Sequence, residues 1–80
     1  MQSAATQESI GESIRQIRER RGLTRYDLAR AAGYSYELVR RIETGRCYPS
    51  VPSLIDICMA LDTTPNDVLK GEGEAWKTRS

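Results

Sequence analysis

Two short helical patterns, separated by only two residues, constrain the fold of this chain more than any other feature. Residues 24–32 and 35–44 each carry apolar side chains at helical spacing, and the link between them is Gly33 and Tyr34. Ser35 is a favourable N-cap for the second helix. Because so short a link forces a sharp turn, the second helix must cross the first, as in a helix-turn-helix arrangement.

The second of these helices has one apolar face and one polar face. At about 100° per residue, Leu38, Val39 and Ile42 form a continuous apolar arc. The other side carries long polar side chains within an arc of about 140°, and these are Tyr36, Glu37, Arg40, Arg41 and Thr44. We therefore expect neighbouring helices to hold the apolar face, and the polar face to contact something outside the domain.

Capping signals predict one further helix before this pair. Ser9 and Glu12 have the spacing of a capping box, so the first helix is expected to begin near Ile10, and Gly22 ends it. Its buried stripe is predicted to consist of Ile10, Ile14 and Ile17. Residues 1–8 are mostly small and polar, which predicts a flexible N-terminus.

Two more helices are predicted after the pair. Ser50 or Ser53 can start a fourth helix, with Pro52 tolerated in its first turn. Thr64 followed by Pro65 starts a fifth helix. The expected buried side of the fourth helix consists of Leu54, Ile57, Cys58 and Leu61, with Ile55 and Met59 as additions to it.

These elements predict an all-α fold, a compact bundle of five short helices with a central helix-turn-helix. Residues 9–71 would form the domain, and residues 72–80 a polar C-terminal tail. That tail contains Trp76, the only tryptophan of the chain. The tail is expected either to be disordered or to contact a dimer mate or partner protein. The second expectation follows because tryptophan is favoured at interface hot spots.

Length and composition exclude several classes of function. A domain of 80 residues has a thin core and little room for a deep catalytic pocket. The chain has no histidine, no cysteine paired with a base and no phosphate-binding glycine loop, so we predict neither an enzyme nor a bound metal, cofactor or small-molecule ligand. Cys47 and Cys58 are expected to be reduced thiols. Without an apolar run of about 18 residues or a signal peptide, the protein is expected in the cytoplasm and not in a membrane.

The net charge of +1 hides a strong asymmetry along the chain. Residues 15–46 contain nine arginines against four acidic side chains, a net charge of +5, and the remainder has a net charge of −4. Arginine makes forked contacts with phosphates and base edges. In a helix-turn-helix, the first helix can lie over the DNA backbone while the second enters the major groove, which is about 12 Å wide. Helix 35–44 is therefore predicted to bind double-stranded DNA.

Several short motifs along the chain match a known family. They are IRxIRExRGLT, DLAxxAG, IExG, PSxxSLxxICxAL and TPxDVL, and they extend over residues 10–69. Together they resemble the lambda-repressor-like (Cro/Xre-type) helix-turn-helix family. The resemblance implies an all-α fold that binds duplex DNA, commonly as a homodimer, and that needs no cofactor. It also implies an internal ion pair between Arg18 and Glu43, which joins the first and third helices.

The resemblance further implies roles for individual residues. Carried over by matching position, the base-reading residues would be Tyr36, Glu37, Arg40 and Arg41, with Ser35 at the helix start. Arg25 would approach a phosphate, and Thr44 and Arg46 would contact the DNA backbone beyond the recognition helix. The family often has glutamine where this chain has Arg25 and Tyr36, and a small residue at Leu38. These departures leave the operator sequence unpredicted.

Physical chemistry leaves alternatives open at these positions. Arg40 and Arg41 could each donate to guanine O6 and N7, to a phosphate, or to Glu37. Glu37 could accept from cytosine N4 or orient Arg41, and we favour the orienting role because phosphates repel an unpaired carboxylate. Tyr36 could pack on a thymine methyl group or donate to a phosphate.

Two hypotheses for function follow from the sequence. The first is a sequence-specific transcriptional regulator, with repression favoured because blocking a promoter requires occupancy only. It would act as a homodimer on a palindromic operator, with half-sites about 34 Å apart. The second is an antitoxin-type protein-interaction module that neutralises a partner protein and binds DNA secondarily. Copurification of a second protein at high salt would distinguish it.

Overall fold

Five α-helices make up the part of the chain that the computed structural model describes, residues 6–69. In chain order they are α1 (Gln7–Arg20), α2 (Arg25–Ala32), α3 (Tyr36–Glu43), α4 (Val51–Leu61) and α5 (Pro65–Leu69). No strand occurs within residues 6–69. The predicted all-α bundle of five short helices is therefore confirmed. Residues 1–5 and the predicted tail with Trp76 lie outside the described residues.

Helix α1 begins earlier than the capping signals predicted. Thr6 is its N-cap, accepting from the Ser9 amide at 3.0 Å, and the Ser9 hydroxyl accepts from the Thr6 amide at 2.9 Å. Glu12 pairs with Arg15 instead of closing a capping box. The predicted start near Ile10 was wrong because Thr6 offers the same capping chemistry one turn earlier. The last residues of the expected flexible N-terminus thus belong to the helix and its cap.

The central helices begin and end where the sequence predicted. Thr24 caps α2 and exchanges capping-box hydrogen bonds with Asp27. Gly33 then adopts a left-handed conformation with φ 83°, which glycine reaches without strain. Ser35 caps α3 by accepting from the Leu38 amide at 3.1 Å. The predicted helix-turn-helix is therefore confirmed.

The last two helices also begin at predicted caps. Of the two candidate serines, Ser50 caps α4 and accepts from the Ser53 amide at 3.2 Å. Thr64 accepts from the Asp67 amide at 3.1 Å in the first turn of α5. Local sequence therefore determines where four of the five helices start.

The core lies where all five helices meet. Its fully buried side chains are Ile14, Leu28, Val39, Ile42, Ile57, Cys58, Leu61 and Val68. Helix α1 approaches α3 closely at Gly11, because a Cβ atom there would overlap the carbonyl oxygens of Ile42 and Glu43. Glycine at this position lets the two backbones touch, a contact that the sequence patterns did not predict.

Helix α4 buries one apolar side and exposes another. Ile55 is 45 % and Met59 74 % exposed, and Val51 is 72 % exposed. These three residues recur every fourth position along the helix, and we call them the α4 stripe. The prediction that Ile55 and Met59 add to the buried side was wrong, because α2 and α5 pack against the other side of α4.

Candidate nucleic-acid interface

Helix α3 is held on its inner side by three charged residues centred on Glu43. The side chain of Glu43 is completely buried, and its carboxylate accepts from Arg18 of α1 at 2.6 and 3.0 Å. It also accepts from Arg25 Nε, at the start of α2, at 2.8 Å. Arg18 donates in addition to the Leu23 carbonyl at 2.7 Å. The predicted Arg18–Glu43 pair is confirmed, and the group fixes α3 against both preceding helices.

The outward side of α3 carries an exposed ion pair and a further arginine. Arg40 donates to both oxygens of Glu37, at 2.6 and 3.1 Å, and its side chain is 40 % exposed. Arg41 is also exposed. Both arginines are within helical reach of Glu37, and Arg40 is the one that contacts both of its oxygens. The favoured prediction that Glu37 orients Arg41 was therefore wrong. We call this side the α3 outer face, consisting of Tyr36, Glu37, Arg40 and Arg41.

Tyr36 is paired with a residue that the sequence analysis missed. Its ring stacks on the ring of Tyr26 in α2, with centroids 4.3 Å apart and planes inclined by 20°. Tyr26 is 63 % exposed, and Tyr36 is partly buried. No periodicity links the two tyrosines, because they lie on different helices. The sequence offers no local signal for this contact, because it depends on the angle at which α3 crosses α2.

The remaining predicted contact residues lie at the ends of the same two helices. Arg25 begins α2, and its bond to Glu43 leaves its side chain 26 % exposed. Ser35 uses its hydroxyl to cap α3. Thr44 donates to a carbonyl of the preceding turn at 2.8 Å, and Arg46 is exposed beyond the helix end. The side chains of three of these four residues thus already have intramolecular hydrogen bonds.

Hydrogen bonds hold the charged side chains of this region in their ionised forms. The bond from Arg40 lowers the pKa of the Glu37 carboxyl, and the charges of Arg40 and Arg41 lower it as well. The same bond raises the pKa of Arg40. The pKa of Arg25 is raised mainly by its hydrogen bond to Glu43. The α3 outer face therefore presents fixed charges at neutral pH.

Beyond this face, the described region could hold three other kinds of functional feature: a metal-ligand cluster, a membrane-spanning helix and a reactive thiol. Among residues 6–69, no three His, Cys, Asp or Glu side chains converge as a set of metal ligands. Within that same stretch, no helix is long and apolar enough to cross a bilayer. Cys47 and Cys58 are free thiols, as predicted. Burial raises the pKa of the Cys58 thiol, which makes it a poor nucleophile at neutral pH.

Sequence comparison gives a match over most of the chain. A family model described as a helix-turn-helix domain matches residues 9–70. The HTH-type transcriptional regulator DdrOP3 of Deinococcus deserti is 35 % identical over 60 residues, which cover 75 % of this chain. Those residues are 46 % of the relative, so the chain spans about half the length of that protein.

Solved structures match the arrangement of the helices as well. The clp gene regulator ClgR from C. glutamicum is 30 % identical with a TM-score of 0.80, over 86 % of this chain and 90 % of that one. The restriction-modification controller protein C.AhdI from Aeromonas hydrophila is 26 % identical with a TM-score of 0.76. That match covers 78 % of this chain and 94 % of the controller protein.

Proposed function

The chain belongs to the helix-turn-helix domain family, and on that premise we propose that it regulates transcription by binding duplex DNA sequence-specifically. The α3 outer face would enter the major groove, and α2 would lie over the DNA backbone. We propose repression and not activation, because blocking a promoter requires only that the operator be occupied. The proposal places the protein in the cytoplasm, together with the DNA that it binds.

One observation carries this proposal, namely that α3 is held on one side and open on the other. Val39 and Ile42 are each 1 % exposed, and two arginines enclose the Glu43 carboxylate. On the opposite side, Arg40 and Arg41 extend toward solvent. A helix in the major groove needs this division, because it must be attached rigidly to its domain and still offer polar groups to the bases.

The two arginines are proposed to read base edges. The exposed guanidinium of Arg41 can donate to guanine O6 and N7. Arg40 is already held by Glu37, so part of the conformational entropy that binding would cost is lost before DNA arrives. Glu37 keeps acceptor capacity for cytosine N4. We also propose contacts near the DNA backbone by four residues at the helix ends, namely Arg25, Ser35, Thr44 and Arg46.

The α4 stripe supports a homodimer as the binding species. Exposed apolar patches on small domains are typical of interaction surfaces. Val51, Ile55 and Met59 carry no charge, so two copies of the stripe can face each other in a twofold dimer without charge repulsion. We propose that a second copy of this chain covers the stripe. The resulting complex would read a palindromic operator with half-sites about 34 Å apart.

The substitution Met59→Glu tests the dimer. Met59 is 74 % exposed, so the variant is expected to fold as a monomer, whereas the wild type should sediment with twice that mass. Met59→Leu keeps an apolar side chain and should remain dimeric. A wild-type chain that stays monomeric above the concentrations at which it binds DNA would overturn the dimer. If such a monomer also copurified with a second protein at high salt, the antitoxin-type alternative would be favoured.

Selection of bound sequences from a random duplex pool tests the main proposal. The wild type is expected to enrich one palindrome. Arg40→Ala and Arg41→Ala should each lose about 1–3 kcal/mol of discrimination between that operator and random duplex, with an unchanged unfolding midpoint. Arg30→Ala removes an arginine side chain that is 79 % exposed and is the matched control, which should keep the discrimination.

Three outcomes of this experiment are informative. Loss of discrimination with an intact fold supports base reading by the α3 outer face. An equal loss on operator and random duplex would make the two arginines phosphate contacts. Unchanged binding of both duplexes by both variants would remove the proposed site.

A further inference from the structure

The stacked tyrosines form an apolar surface in a region otherwise dominated by arginine. Tyr26 is the second residue of α2, and Tyr36 is the first residue of α3. The rings lie face to face, yet Tyr26 remains 63 % exposed. An exposed aromatic ring beside the start of a DNA-reading helix lies close enough to contact the same bases as the helix. The N-terminal residues of a recognition helix are the ones that usually reach base edges.

The two helices that carry the pair are also joined by buried ion pairs. Tyr26 follows Arg25, which is bonded to Glu43, and Glu43 is bonded to Arg18 of α1. Because this group holds α2 against α3, the backbones that carry the two rings stay in place relative to each other. Stacked aromatic rings add a further attraction of their own. The two rings therefore form one rigid surface and not two independent side chains.

The major groove offers one apolar group that suits such a surface. Its base edges present hydrogen-bond donors and acceptors, together with the methyl group at C5 of thymine. Cytosine carries a methyl group at the same position when it is methylated. The guanidinium of an arginine makes no hydrogen bond to either methyl group, because a methyl group is not an acceptor. A flat aromatic surface can bury a methyl group and release the water around it.

We propose that Tyr26 and Tyr36 together form a contact for the 5-methyl group of a pyrimidine in the major groove. In this proposal, Tyr36 touches the methyl group, and Tyr26 is a positioning residue that holds the Tyr36 ring and widens the apolar surface. The inference rests on the proposed function, since it requires α3 to lie in the groove. It adds a specificity-determining residue, Tyr26, on the helix that lies over the backbone.

The experiment uses the full chain and the selected operator. Each thymine is replaced in turn by deoxyuridine, which removes only the methyl group. In a second arm, each cytosine is replaced by 5-methylcytosine. Burial of one methyl group predicts that affinity falls about fourfold at one uracil position per half-site, or rises about fourfold at one methylcytosine position per half-site. The first result identifies thymine as the source of the methyl group, and the second identifies methylated cytosine.

Variants of the stack separate positioning from folding. Tyr26→Ala should abolish the sensitivity to the methyl group, and Tyr26→Phe should restore it, because phenylalanine keeps the stack. Tyr48→Ala is the matched control, since Tyr48 is also an exposed tyrosine, at 56 %, but is not stacked. It should leave the ratio of affinities for methylated and unmethylated DNA unchanged. Urea unfolding of each variant checks that the fold is intact.

The failure of the inference can be distinguished from the failure of the proposed function. If the chain selects an operator but neither arm changes affinity at any position, the methyl contact is overturned and DNA reading stands. The proposed contact is likewise overturned if Tyr26→Ala keeps the full sensitivity to the methyl group. If the chain selects no sequence from the pool, the proposed function fails and the inference fails with it.

Discussion

Glu37 and Glu43 lie on the same short helix and both pair with arginine, yet their surroundings are opposite. The Glu43 side chain is completely buried between two guanidinium groups, whereas the Glu37 side chain is 58 % exposed and bonded to one. A buried carboxylate that loses its partners has no water to replace them. An exposed carboxylate is solvated at once, so its pair contributes little to stability.

The difference divides α3 into a side that belongs to the fold and a side that is available for recognition. Changes on the Glu43 side should act on stability, because that side joins α1, α2 and α3. Changes on the Glu37 side should act on DNA binding, since the Glu37 side chain is 58 % exposed and Arg41 is exposed as well. One helix can thus present different outer residues without losing its place in the domain.

The largest expected effect comes from making the same substitution at both glutamates. Glu43→Gln should lower the free energy of unfolding by about 3–5 kcal/mol, because it leaves two arginines facing a neutral group. Glu37→Gln should shift the urea unfolding midpoint very little, because its pair is exposed. The two variants serve as controls for each other, since they lie on one helix. Equal destabilisation at both positions would contradict the division.

The substitution Gly11→Ala tests the inner side of α3 without touching a charge. An added Cβ atom would overlap backbone carbonyl oxygens of α3, so we expect destabilisation by about 1–3 kcal/mol in urea unfolding. The sign of the change in the free energy of unfolding shows whether α1 and α3 approach closely at this position. If a helical glycine has no such contact, replacing it with alanine stabilises the protein by about 0.5–1 kcal/mol. Stabilisation of Gly11→Ala would therefore show that α1 and α3 do not approach closely here.

On the outer side, Glu37→Gln is expected to change DNA binding in spite of its neutral effect on folding. Removing a carboxylate that phosphates repel should tighten binding to random duplex, and releasing Arg40 should weaken its directed contact with the operator. The ratio of the two affinities should therefore fall. Filter binding or fluorescence anisotropy at fixed salt would measure it, and an unchanged ratio would show that Arg40 needs no support from Glu37.

The smallest effect concerns the titration of Glu37. Its pKa is lowered in the folded state, first by the hydrogen bond from Arg40, so the pair adds stability above the unfolded pKa, about 4.3. That contribution is lost as pH falls through the lowered folded pKa. A carboxyl carbon titration by NMR should give a midpoint below about 4.3 in the wild type. The midpoint should rise in Arg40→Ala and stay low in Arg41→Ala, and the reverse order would make Arg41 the partner.

Local signals were sufficient for most of the fold. Thr24, Gly33 and Ser35 determine the turn through their own capping and backbone chemistry, which can be read from neighbouring residues alone. The start of α1 was misplaced because Thr6 and Ser9 can both cap, and sequence alone does not rank them. Ile55 and Met59 were misassigned because α4 is apolar on two sides, and only packing determines which side is covered.

The candidate site was predicted less completely than the fold. The residues of the outer face follow from helical periodicity, which depends on one helix only. The contact of Tyr26 with Tyr36 and that of Arg25 with Glu43 depend on how α2 crosses α3, and spacing along the chain does not encode that crossing. The choice of Arg40 over Arg41 as the partner of Glu37 depends on side-chain conformation, because a helix permits both.

The central claim, that duplex DNA meets the α3 outer face, is tested most directly by an NMR titration. Backbone amide shifts of residues 6–69 would be recorded as the selected operator is added to the full chain. The account predicts the largest changes in α3 from Tyr36 to Arg41 and at the start of α2, with α5 nearly unaffected. The largest changes in α5 or α1, with the α3 outer face unmoved, would contradict it.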